Sequence, residues 1–176
     1  MIISVEELME MTEFQGMSEK TLERKVKGIE ELVRAYTNNN FQNRTKRISA
    51  PSLNGKLLGR CQFFKVGDTV QISESVNAGL YVIKEIDLLE KNIKVDTELF
   101  DASANLVTKV EYPSAVVDGV MNLLLWEVKN RDKIGIHSET LSRHSVTYTE
   151  QNEANTLMGY PVTLFGFLKP YMKARF

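Results

Sequence analysis

The residues with a type suited to chemistry are few: two histidines, one cysteine and one short basic run. His137 and His144 stand seven apart in a stretch with no helical period and no cysteine nearby. That is not the spacing of a metal or catalytic pair, and they read as polar surface or interface residues. Cys61 has no activating partner near it in sequence and reads as a small hydrophobe in a strand. Arg44, Lys46 and Arg47 have the charge to meet a phosphate backbone, but a solvated loop accounts for them as simply. Gly67-Asp68 has the composition of a hairpin turn, not of a phosphate-cradling loop. With no phosphate loop, dinucleotide fingerprint or metal-ligand spacing, nothing supports an enzyme, and no cofactor or metal is expected.

Composition narrows the remaining classes. A length of 176 residues suits one domain, or a small domain with an insertion. Hydrophobic content of 43% and charged content of 26% are ordinary for a folded chain. A net charge of −1 sets up no field toward nucleic acid or an acidic membrane. A lone cysteine precludes an internal disulfide and fits a reducing compartment. Glu6, Glu7 and Glu10 stand where a secretory leader needs basic charge. No apolar run approaches the ~20 residues of a membrane span.

The elements that must position any functional surface begin with Pro113–Asn130. Pro113 suits a helix start. On a helical wheel Asp118, Asn122 and Lys129 share one narrow polar stripe. Val116, Val117, Val120, Met121, Leu123, Leu124, Trp126 and Val128 cover about 220° of arc, well beyond what a surface helix needs. Leu125 interrupts the polar stripe: it reads either as one exposed leucine on a core helix or as a sign that part of the helix is buried by a second subunit. Earlier in the chain, Ser4-Val5-Glu6-Glu7 is a capping box, and Ser18 caps a longer helix over Glu19–Tyr36. Leu22, Val26, Ile29, Leu32, Val33 and Tyr36 keep that helix's period, and Glu23–Lys27 and Glu30–Arg34 are placed as outer-face pairs. Asn38, Asn39 and Asn40 stop it. The two long helices are expected to pack on each other through Ile29, Leu32, Val120 and Leu124.

Between them the pattern turns to short strands. Pro51–Gly59 reads as loop, and strands are expected at Arg60–Val66, Thr69–Glu74, Leu80–Ile86, Asn92–Thr97 and Leu106–Tyr112, with Asn77-Ala78-Gly79 as a turn. This rhythm suggests a small antiparallel barrel or curled sheet inserted between the helices. After the central helix, Ile134–Thr149 has no helical period, and Ser145–Thr149 alternates as a strand would. Ile134, Ile136, Leu141 and Val146 suit an extended arm laid across a neighbouring subunit. Pro161 is expected to start a last helix that Pro170 kinks or ends. The final residues gather Phe165, Phe167, Leu168, Tyr171, Met172 and Phe176, more apolar mass than a frayed terminus explains.

Three segments carry a resemblance: Tyr36-Thr37-Asn38-Asn39-Asn40-Phe41, Ser138 through Tyr148, and Leu168-Lys169-Pro170-Tyr171. On these the chain resembles the head–tail connector proteins of tailed bacteriophages, also called adaptor or head-completion proteins. The resemblance covers Ser4–Phe41 and Pro113–Phe176 and is silent about the β segments. Together with the strand rhythm read above, the expected fold is α+β: a small antiparallel helical connector domain over residues 1–59 and 113–176 and a C-terminal helical tail, as the resemblance implies, and an inserted small β-barrel-like module over 60–112, as the strand pattern suggests. The resemblance further implies a virion protein, assembled in the host cytoplasm into a ring expected to be dodecameric. The ring would sit beneath the portal protein, extend the DNA channel without sequence-specific binding, and receive a downstream stopper or tail-completion protein. No membrane is involved.

Residue roles follow from that setting. The C-terminal segment is expected to anchor to the portal through Tyr160, Phe165, Leu168, Lys169, Tyr171, Lys173, Arg175 and Phe176. Leu125, Ile134, Ile136, Glu139, Leu141, Arg143, Val146 and Tyr148 are the expected intersubunit residues. Arg44, Lys46 and Arg47 are the candidates to face DNA. The alternative is a nucleic-acid-binding module that uses the β insertion and the same basic cluster.

Overall fold

Local caps set the first helices. Ser4 Oγ accepts from the Glu7 N–H at 3.1 Å and opens α1, Val5–Met9. Ser18 Oγ accepts from the Thr21 N–H and opens α2, Glu19–Thr37. Asn38, in the left-handed conformation at φ 49°, closes it. A computed structural model of the protein describes residues 1–59, 62–130, 138–141, 144–147, 156–157 and 159–174.

Six strands follow α2: β1 Gln42–Leu53, β2 Lys56–Leu58, β3 Thr69–Ser73, β4 Gly79–Asp87, β5 Asn92–Val95 and β6 Ala102–Val110. They close an antiparallel barrel in the order β1-β2-β5-β4-β3-β6. The meander β3-β4-β5 with β6 returning beside β3 is a Greek key. Closure leaves no sheet edge in the barrel. Ala50, Leu57, Val70, Ile72, Ile83, Ile93, Val95 and Val107 fill it, with Phe64 and Leu99 from connecting segments.

The barrel starts well before the expected boundary at Arg60. Gln42–Leu58, read as a polar run and a loop, supplies its first two strands. Only Ala50 and Ser52 of β1 are fully buried, so the strand lacks an apolar alternation. Pro51 sits at a register irregularity between Ala50 and Ser52, the kind of place a closed sheet tolerates proline. Asn54 and Gly55, at φ 52° and 79°, make the tight β1–β2 turn that an Asn-Gly pair favours. Conversely, of the strand expected at Arg60–Val66, the described residues 62–66 form none, and Arg60 and Cys61 lie outside the described residues. Gly67-Asp68 therefore joins no hairpin. Asp68 accepts from the Lys65 N–H at 2.8 Å in a turn that leads into β3.

After β6, α3 runs Ser114–Asn130. It is followed by two short hairpins, β7 Ser138–Leu141 with β8 His144–Thr147, and β9 Thr156–Leu157 with β10 Tyr160–Pro161. The chain then makes a 3-10 segment, Val162–Tyr171.

The expected fold is corrected on two counts. The C-terminal piece is this 3-10 segment and not a helical tail: Gly166 and Pro170 within ten residues deny it a stable α-helical ladder. The helices also form no separate antiparallel connector domain. Val110 and the half-buried Leu80 of the barrel belong to the same hydrophobic cluster as α1, α2 and α3. The 3-10 segment packs against both α2 and α3, with Phe165 and Leu168 buried among them. Ile29, Val120 and Leu124 are buried in that cluster, and Leu32 packs on it half-buried.

Candidate functional site

The C-terminal residues read as an anchor for another protein are first of all anchored here. The Tyr160 hydroxyl donates to Glu127 Oε2 at 2.5 Å, and its ring lies 5.6 Å from that of Trp126. Phe165 is buried with its ring 5.6 Å from Tyr36, and Leu168 is fully buried. Tyr171 is half-buried, 6.3 Å from Phe41. The end of α2 holds the segment by polar bonds as well. Asn39 Nδ2 donates to the Tyr171 carbonyl at 3.1 Å, Asn38 Nδ2 to the Ala174 carbonyl at 2.9 Å, and the Lys173 N–H to the Thr37 carbonyl at 2.8 Å. Two of the three marks behind the family resemblance, Tyr36–Phe41 and Leu168–Tyr171, therefore meet in space although about 130 residues separate them in sequence. Lys169 and Lys173 are exposed, as are Val162 at 43% and Met172 at 51%. Arg175 and Phe176 lie outside the described residues.

The expected DNA-facing cluster is brought together on β1, where Lys46 is ion-paired and Arg47 bonds a neutral hydroxyl. Lys46 Nζ is 2.6 Å from Glu111 Oε1, and Asn43 Nδ2 donates to the other oxygen at 2.6 Å. Lys109 Nζ is 3.7 Å from Glu111 and 2.7 Å from Asp68. The Asn43 hydrogen bond first, and the Lys46 bond with it, holds the Glu111 carboxyl below the usual carboxylate range. Arg47 Nε donates to Thr108 Oγ1 at 2.9 Å, and Arg44 is exposed.

Of the expected intersubunit residues, Leu125 is half-buried and packs on the helical cluster. Glu139, Leu141 and Val146 lie in the β7–β8 hairpin, where Glu139 pairs with Val146 and Leu141 with His144. Residues 138–141 and 144–147 thus pair as two antiparallel strands within the stretch expected to form the arm. Ile134, Ile136, His137, Arg143 and Tyr148 lie outside the described residues.

Three polar clusters escaped the sequence reading. Glu127, buried in α3, takes Lys25 of α2 at 2.5 Å as well as Tyr160. Glu30, read as an outer-face residue, is buried, and Tyr112 donates to it at 2.8 Å. Burial pushes the Tyr112 phenol well above its ordinary range, and the Glu30 charge adds to the effect. The third cluster closes the barrel end away from the helices. Asn77 Nδ2 donates to the Phe100 carbonyl at 2.9 Å and to Asn105 Oδ1 at 3.0 Å, while its own Oδ1 accepts the Phe100 N–H at 2.8 Å. Ser52 Oγ donates to the same carbonyl at 2.6 Å, and Asn105 Nδ2 donates to the Ala50 carbonyl at 3.0 Å.

Glu30 follows Val26 by four and precedes Val33 by three, and Glu127 follows Leu123 and Leu124 by four and three. A carboxylate inside an apolar stripe is the signal that could have found both. Nothing in the spacing of Asn77 and Asn105 announces their meeting. Among the described residues no group of three His, Cys, Asp or Glu is placed to hold a metal, and no helix is long and apolar enough to cross a membrane. No protein-family model and no curated protein matches the chain. The features that remain are surfaces: an internally clasped C-terminal segment, a basic strand with Lys46 ion-paired, and a barrel end closed by side-chain hydrogen bonds.

Proposed function

We propose that the chain is a structural subunit of a phage head–tail junction. Copies of it form a ring beneath the portal, extend the DNA channel, and present a docking surface to the next connector or tail protein. The observation that supports this reading most is the clasp between Tyr36–Phe41 and the C-terminal segment: two separate marks of the resemblance serve one structural purpose. Pairing of Lys46 with Glu111 fits a wall that DNA passes without being gripped. Tyr160, Phe165 and Leu168 are buried in the subunit's own core, so this reading assigns the portal contact to other side chains.

The test is co-sedimentation of the full chain with assembled portal rings at moderate salt, beside duplex DNA as a control. The chain is expected to pellet with the portal and to leave DNA mobility unchanged. Salt-dependent DNA binding without portal binding would overturn the reading.

A further inference from the structure

The barrel end away from the helices carries exposed apolar side chains on a fixed frame. The register locates this end: Gln42, Thr69 and Val110 align beside the helices, whereas Ser52 pairs with Ala102 and Ser73 with Leu106 at the far side. Three connections meet there, Asn54-Gly55, residues 74–78 and residues 96–101. The Asn77 amide bonds both the N–H and the carbonyl of Phe100, so that backbone is gripped from both sides. The Phe100 ring is turned out to water, 74% exposed, with Val76 at 74% on a neighbouring connection and Leu53 at 47% at the end of β1. An aromatic residue held outward on a satisfied polar network needs little further ordering to enter a partner's surface. Exposed Glu74, Glu98 and Asp101 lie on the same connections.

The opposite end of the molecule has complementary chemistry. Between Gly159 and Ala174 there is no acidic residue, and Lys169, Lys173, Val162 and Met172 are all exposed. We propose that the Leu53–Val76–Phe100 tip of one copy docks on the C-terminal segment Val162–Lys173 of a second copy, head to tail. Apolar side chains supply the contact, and the acidic tip meets the two lysines. A contact between two different surfaces of one chain is heterologous, and it yields a ring when the rotation closes. The inference rests on the self-assembly proposed above and names the surfaces that carry it.

Sedimentation velocity of the full chain over a concentration series tests it, at low and at moderate salt. Wild type is expected to self-associate, less at the higher salt. Phe100→Ser, the pair Glu74→Lys with Glu98→Lys, and the pair Lys169→Glu with Lys173→Glu are each expected to weaken association about tenfold or more, as loss of an interface anchor does. Mixing the two charge-reversed proteins is expected to restore association, which misfolded chains would not do. Charge-reversed proteins that each associate like wild type, or a mixture that recovers nothing, would overturn the tip-to-segment contact and leave self-assembly standing. A wild type that remains monomeric throughout would overturn both.

Discussion

Gly119 sits in the middle of α3, where alanine would ordinarily stabilise a helix by up to about 1 kcal/mol. Here an added methyl would overlap three ring carbons of Phe167. Gly119→Ala is therefore expected to destabilise the protein by about 1–3 kcal/mol, as overpacking does, and Phe167→Ala in the same chain should recover part of that loss. Chemical denaturation measures both, and a stabilised Gly119→Ala protein would show that the ring does not lie on the helix. Glu127 makes a second residue-scale case. Its carboxylate joins Lys25 and Tyr160 in a buried site, so Glu127→Ala should cost about 3–5 kcal/mol, the range for breaking a buried pair. A shift of the denaturation midpoint worth under about 1 kcal/mol would make the pair a surface one in effect. Residue-level reading of the sequence did well where one side chain acts on its own neighbourhood: Ser4, Ser18 and Asn38 cap and stop helices as their types predict. It failed where a side chain's partner is far away in sequence, as with Glu30 and Tyr112, because spacing carries no record of a contact made by the fold.

At the scale of elements, α2 and α3 were readable because a 3.6-residue period must show wherever a helix covers a core. β1 was not, because only two of its twelve residues are fully buried and Pro51 reads as a break until the register irregularity is seen. The Asn54-Gly55 pair was the missed signal. The C-terminal apolar cluster announced docking but not its target, since hydrophobic side chains do not specify which surface they meet. That correction changes what truncation should do. A chain ending at Met158 loses Phe165 and Leu168 from the shared cluster, so it is expected to unfold far below the full chain's Tm or with no cooperative transition at all. Thermal circular dichroism checks this, and an unchanged Tm would return the segment to the role of a dispensable tail. Between β1 and β6, Glu111 ties Asn43, Lys46 and Lys109 together. Its folded pKa lies below the ordinary 4.5, so its contribution is present above that value and is lost as pH falls through the depressed folded one. Wild type should exceed Glu111→Gln in stability at neutral pH, and the gap should close below about pH 4.5. A gap that stays constant into acid would remove the carboxylate from the account.

Taken whole, the molecule is a Greek-key barrel capped at one end by helices and closed at the other by an asparagine network. Its C-terminal segment serves as internal packing, with a basic outer edge. Its two ends are unlike, and the proposed ring beneath a portal would use both. Native mass spectrometry of the full chain mixed with purified portal rings tests that claim most directly. The account predicts a discrete complex in which the portal ring carries a complete set of copies, twelve if the expected dodecamer holds, with no ladder of partial occupancies. A spectrum showing only free chain and unaltered portal would contradict it.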